Sequence, residues 1–118
     1  MTFDTLREFC LSFPGTGEKM PFDESTLVFT VGGKMFCLTD IQACDSINLK
    51  CDPEKAILLR EQYPEVQPGY HMAKKHWNTV SISGNLRDAL LKEWITHSYE
   101  LVRNSLPKAV RLNLQQSS

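Results

Sequence analysis

No stretch of this sequence approaches the ~20 consecutive apolar residues of a membrane span. Its opening, Met1-Thr2-Phe3-Asp4, has neither the basic start nor the apolar core of a secretory leader. No CxxC pair occurs among the four cysteines, Cys10, Cys37, Cys44 and Cys51, and the 44–51 gap is not a zinc-ligand spacing. Repeats and low-complexity tracts are absent. Net charge is nearly absent too, since 13 Lys/Arg stand against 14 Asp/Glu. A pI near 6.3 is well below the basic value expected of a strong nucleic-acid binder. These absences exclude a membrane protein, a disulfide scaffold and a zinc module, and point to a reducing, cytoplasmic setting.

What is present is an ordinary globular composition: 118 residues, 42% hydrophobic and 23% charged. That is enough for one domain with a core of its own, and a domain this size needs no metal or disulfide to fold. The domain is expected over residues 1–112, with 113–118 a frayed polar tail. Cys10 falls among helical apolar positions, and Cys37 and Cys51 fall in strand-like runs. All three read as small buried hydrophobes. Cys44 falls in a loop, with no charge partner in sequence to activate it.

Charge is unevenly spread. Residues 1–65 hold 6 Lys/Arg against 11 Asp/Glu, and residues 66–118 hold 7 against 3. From Val66 to Arg87 there are three cations, two histidines and no acid. Such polarity can orient a molecule toward an anionic partner. The alternative is that the two halves neutralise each other on folding.

Thr2 can cap a first helix carrying Phe3, Leu6, Phe9, Cys10 and Phe13 at helical spacing, ended by Pro14-Gly15. A turn-rich loop is expected from there to about Asp23. The runs 26–31 and 34–39 read as strands, and Gly32-Gly33 between them signals a tight hairpin, because the favoured two-residue turns need positive φ. Residues 45–51 alternate, with Ile47, Leu49 and Cys51 on one face. Asp52-Pro53-Glu54 is a strong helix start, and that helix ends before Pro64. Residues 66–72 read as extended and 77–82 as a strand. A last helix starts near Asn85 or Leu86 and is stopped by Pro107. The order α-β-β-β-α-β-β-α, without strand–helix–strand alternation, predicts an α+β two-layer sandwich. Its antiparallel sheet has about five strands, with helices on one face.

The stretch Pro68-Gly69-Tyr70-His71-Met72-Ala73-Lys74-Lys75-His76-Trp77-Asn78-Thr79-Val80 is the most distinctive. Together with Lys34-Met35-Phe36, Ile47-Asn48-Leu49-Lys50-Cys51-Asp52-Pro53, Ser98-Tyr99-Glu100-Leu101-Val102 and Leu106-Pro107-Lys108, it resembles the MmcQ/YjbR family of small bacterial proteins across about residues 1–111. The resemblance implies a two-layer, CyaY-like fold related to type III secretion chaperones. It also implies a DNA-binding label that rests on two projecting hairpins, a "double wing". Ala73 departs from the family pattern, where Asn is frequent, and this puts in doubt a side-chain amide beside the lysines.

Candidate site residues follow. Lys74, Lys75 and His76, with Lys34, Lys50 and Arg87, can neutralise phosphates, and no base-reading pattern accompanies them. The competing reading makes the lysines solvated turn residues. Trp77 reads as a core anchor rather than a stacking platform. His71 and His76, five apart, lack an evident third ligand, so no metal is expected. Paired carboxylates occur only at Asp23-Glu24. No nucleophile elbow or phosphate loop is present. The chain is therefore expected not to be an enzyme and to use no cofactor. Three roles compete: a weak, sequence-tolerant DNA or polyanion binder, a protein- or peptide-interaction domain, and a small-ligand site around Tyr70, His71 and His76.

Overall fold

The computed structural model describes residues 1–69 and 72–116. Thr2 caps α1 (Phe3–Leu11) by accepting the Thr5 N–H at 3.1 Å. The chain then forms β1 (Thr16–Lys19), β2 (Thr26–Val31), β3 (Lys34–Asp40) and β4 (Ser46–Lys50). Asp52 caps α2 (Pro53–Gln62), as its local sequence dictates. β5 (Val66–Pro68), β6 (Trp77–Ser81), α3 (Asp88–Asn104) and α4 (Lys108–Gln116) complete it. The strands form one six-stranded antiparallel sheet in the order β1-β2-β3-β4-β6-β5.

The layers are as expected. The main core joins Leu6 and Cys10 of α1, Ala56 and Leu59 of α2, Leu91, Ile95 and Val102 of α3 and Leu114 of α4 to Phe29, Val31, Ile47, Leu49 and Val80 of the sheet. No helix residue enters the second cluster, on the other face of the sheet, where Val28, Leu38 and Trp77 are covered by Met35 and Met72.

Three expectations are corrected. The sheet has six strands, because residues 16–19, read as loop, pair with β2 from Thr16↔Val31 to Lys19↔Val28. α3 begins at Asp88, not near residue 85. Residues 113–116 are not a frayed tail: they belong to α4, and Leu114 is buried. A Cβ on Gly15, whose φ is +73°, would collide with that Leu114 side chain. Gly32 and Gly33, at φ +57° and +84°, make the positive-φ hairpin expected of them.

Ser98 explains a polar residue in the buried stripe of α3. Phe29 pairs with Cys37 and Thr30 with Met35, so Phe36 is the extra residue of a bulge. Phe36 and Cys37 both face the helices as a result. The Ser98 hydroxyl, fully buried, donates to the Phe36 carbonyl at 2.5 Å and accepts the Lys50 N–H at 2.9 Å. Ser98→Ala leaves both backbone groups unpaired in the core. Its expected cost is about 2 kcal/mol, read as a lowered urea midpoint with unchanged slope. An unchanged midpoint would show that the hydroxyl is dispensable.

Candidate functional site

The pairing register decides which cations meet. Lys50 at the end of β4 pairs with Trp77 at the start of β6, and Pro68 at the end of β5 pairs with Asn78. β3 begins at this same end, since Cys37 pairs with Leu49. The Gly32-Gly33 turn and the β5–β6 connection therefore lie at one end of the sheet, with only β4 between them. Lys34, Lys50, Lys74, Lys75 and His76 are gathered there. Lys34, Lys74, Lys75 and His76 are exposed, and Lys50 is half-buried.

Arg87 does not join them. It precedes α3 beyond the other end of β6, and about 13 Å of strand separates the two ends. At that end the chain amino group bonds the Ile82 carbonyl at 3.0 Å and the Asp88 carboxylate at 3.4 Å.

Sequence reasoning missed Arg60, in the last turn of α2. Its Nε donates to Asn78 Oδ1 at 2.6 Å, and its Nη2 donates to the carbonyls of Lys74 and Trp77. This guanidinium ties the cationic turn to the helix layer. Its partners lie 14 to 18 residues away, so no local signal marks it. Lys74 Nζ reaches the Gly69 carbonyl at 3.3 Å, and the His76 carbonyl accepts from Cys51 N at 2.8 Å. Gly69 is required for close approach: an added Cβ would lie 2.8 Å from Trp77 Cβ and 3.0 Å from its carbonyl oxygen. Trp77 is only 8% exposed, the core anchor its sequence suggested. Tyr70 and His71 lie outside the described residues.

Behind this turn, a cavity of about 10 Å³ between α2, α3 and the sheet is lined by Cys51, Asn78, Trp94 and His97. It has room for about one water. His97 Nε2 accepts the Asp52 N–H at 3.3 Å. Burial pushes the His97 pKa below the ordinary histidine value, with Lys55 adding to this and Asp52 and Glu100 opposing it. The unfolded chain then binds the extra proton, so stability is full above about pH 6.5 and falls as pH drops toward the lowered folded pKa. His97→Gln is expected to flatten the pH 7.5 to 5.5 limb of the thermal midpoint. An unaltered limb would place the titration elsewhere.

The open face of the sheet holds a concavity of about 610 Å³. Leu38, Asn48 and Thr79 form its floor, Phe22 and Met72 lie on its walls, and Asp23, Asp40 and Asp45 on its rim. It opens toward the end opposite the lysines, where Thr26 pairs with Asp40 and Ser46 with Ser81, and reaches along the open face to Met72 of the β5–β6 connection. Backbone N–H bonds from Ser25 and Thr26, with their hydroxyls, hold the Asp23 carboxyl below the usual carboxylate range. Among the described residues no group of three or more His, Cys, Asp or Glu is placed to hold a metal. No helix among them is long and apolar enough to cross a membrane.

This geometry defines a two-layer α+β domain with a cationic sheet end and an acidic groove. The YjbR family model matches residues 11–101, and the chain belongs to the YjbR family. It is 39% identical over 106 residues to the uncharacterized protein YbdF of Escherichia coli O157:H7, covering 89% of this chain and 87% of that one. It is 32% identical over 117 residues to the uncharacterized protein YjbR of Escherichia coli K12, covering 98% and 99%. A crystal structure of a Deinococcus radiodurans protein with domain DUF419 superposes with a TM-score of 0.90 at 42% identity, covering 97% of this chain and 88% of that one. A Pseudomonas syringae protein superposes with a TM-score of 0.74 at 27% identity, over 86% and 99%.

Proposed function

We propose that the protein binds a polyanion, DNA in the first instance, through the sheet end formed by the β2–β3 turn and the β5–β6 connection. The observation that carries this reading is the state of the lysines there. Among the described residues the ion pairs are Met1 with Asp88 and Arg7 with Glu18, so Lys34, Lys50, Lys74 and Lys75 are left uncompensated by carboxylates. Ammonium groups on two neighbouring turns can bridge successive phosphates without reading bases. Binding is then weak, sequence-tolerant and electrostatic. Arg87 has no part in it, and Trp77 acts by holding the turn rather than by stacking on a base.

Neutralising about three phosphates gives a log–log salt slope near −2.7, or about a 40-fold loss of affinity between 50 and 200 mM salt. Fluorescence anisotropy with labelled duplex and single-stranded DNA measures it. Salt-insensitive binding, or none at high micromolar protein, would overturn the reading.

A further inference from the structure

The acidic groove has the opposite character to the proposed polyanion end and meets it only at the β5–β6 connection, through Met72. About 610 Å³ lies within the roughly 300–1,000 Å³ typical of ligand sites. Asp23, Asp40 and Asp45 rim it, and no Lys or Arg is among the described residues that line it. Asp23 stays ionised under its four hydrogen bonds from Ser25 and Thr26. Asp40 Oδ1 accepts the N–H groups of Gln42 and Ala43, while no described residue engages Oδ2 or the exposed Asp45 carboxylate.

Phe22 lines the groove, and further apolar side chains are exposed in the segments next to its lining residues. Phe22 is 62% exposed, Met20 40% and Ile41 39%, and the Ile41 N–H bonds the Ser25 carbonyl at 2.8 Å, which sets it beside the Asp23–Ser25 turn. Single exposed hydrophobics need no explanation, but a group of them around a concavity marks an interaction site. Carboxylates without cations beside exposed apolar side chains complement a ligand carrying the reverse pair.

We infer that this groove docks a basic amphipathic peptide segment of a partner protein. Its Lys or Arg side chain is held by Asp40 and Asp45, and a neighbouring aliphatic or aromatic side chain packs between Phe22 and Met72. The rim contributes electrostatic register and the walls contribute apolar burial. Small ligands lacking the apolar arm use only half of the site.

The probe is a fluorescein-labelled ten-residue peptide of alternating lysine and leucine, titrated with the full chain. Saturable binding is expected, weakened about 10-fold by Asp40→Asn with Asp45→Asn and about fivefold by Phe22→Ala. Asn at position 40 can still accept the Gln42 and Ala43 N–H groups, so the loop is retained. A lysine–serine peptide is expected to bind at least 10-fold more weakly. Charge-matched Glu93→Gln with Glu100→Gln, on the helix layer, is expected to leave affinity unchanged. Lys74 and Lys75 variants, which test the polyanion end, are likewise expected to leave it unchanged, so failure of either site is seen separately. The inference is overturned by absent or unsaturable binding, by equal affinity of the Asp40/Asp45 variant, or by equal affinity of a glutamate–leucine peptide. A dimer in light scattering that Asp40→Asn with Asp45→Asn abolishes would assign the groove to a second copy instead.

Discussion

Lys74→Glu with Lys75→Glu is expected to lower DNA affinity by about two orders of magnitude at 50 mM salt and to cut the salt slope by about 2. Each substitution removes a phosphate contact and puts a repulsive charge in its place. The fold should tolerate both, because the side chains are exposed and the atom that Arg60 engages at position 74 is the backbone carbonyl. Only the 3.3 Å contact from Lys74 Nζ to Gly69 is lost. Anisotropy gives the affinity, and circular dichroism gives the thermal midpoint on the same samples. Arg87→Glu serves as the control at the opposite end and is expected to change affinity less than threefold. If Arg87→Glu instead matches the double variant, the contact surface includes the opposite end of the sheet and the lysine end alone is not the site.

Trp77→Ala carries the largest expected effect on stability, about 3–4 kcal/mol. The indole anchors the small apolar cluster on the open face, with Val28, Leu38, Met35 and Met72, and no helix covers that cluster. Its removal opens a cavity under the β5–β6 connection. The 74–76 turn then loses its floor, and DNA affinity falls along with the denaturant midpoint. Trp77→Phe keeps much of the packing and is expected to recover most of both. A Trp77→Ala protein with the original midpoint but no DNA binding would show that the ring meets a base, contrary to its burial.

Local chemistry made several elements readable from sequence. Gly32-Gly33 announces a positive-φ turn, and Asp52-Pro53 announces a helix start, because the cause of each lies within a few residues. β1 gave no such signal. Thr16-Gly17-Glu18-Lys19 has no apolar alternation and becomes a strand through its ladder with β2. α4 was hidden behind Pro107, read as a stop. The proline ends one helix and leads into the next, and its carbonyl accepts the Arg111 N–H at 3.0 Å.

The candidate site divides in the same way. The cationic residues were visible as composition, but which of them share an end depends on strand register. That register brings Lys34 to the Lys74–His76 end and sends Arg87 to the other. The Arg60 tie and the acidic groove join residues from distant segments, such as Phe22, Asp40, Asn48 and Met72, and no sequence window contains them together.

The lysine turns lie at one end of the sheet, and the Asp23, Asp40 and Asp45 carboxylates lie toward the other. Charge separated in this way can orient a molecule despite a near-zero net charge. On the proposed polyanion reading, a phosphate rod would draw the lysine turns in first, and association would quicken at low ionic strength. Seated lysine-first on a polyanion, the protein would keep Asp23, Asp40 and Asp45 away from the contact. A nucleic acid carrying this chain would then leave these carboxylates and the exposed Phe22 ring open to a basic partner.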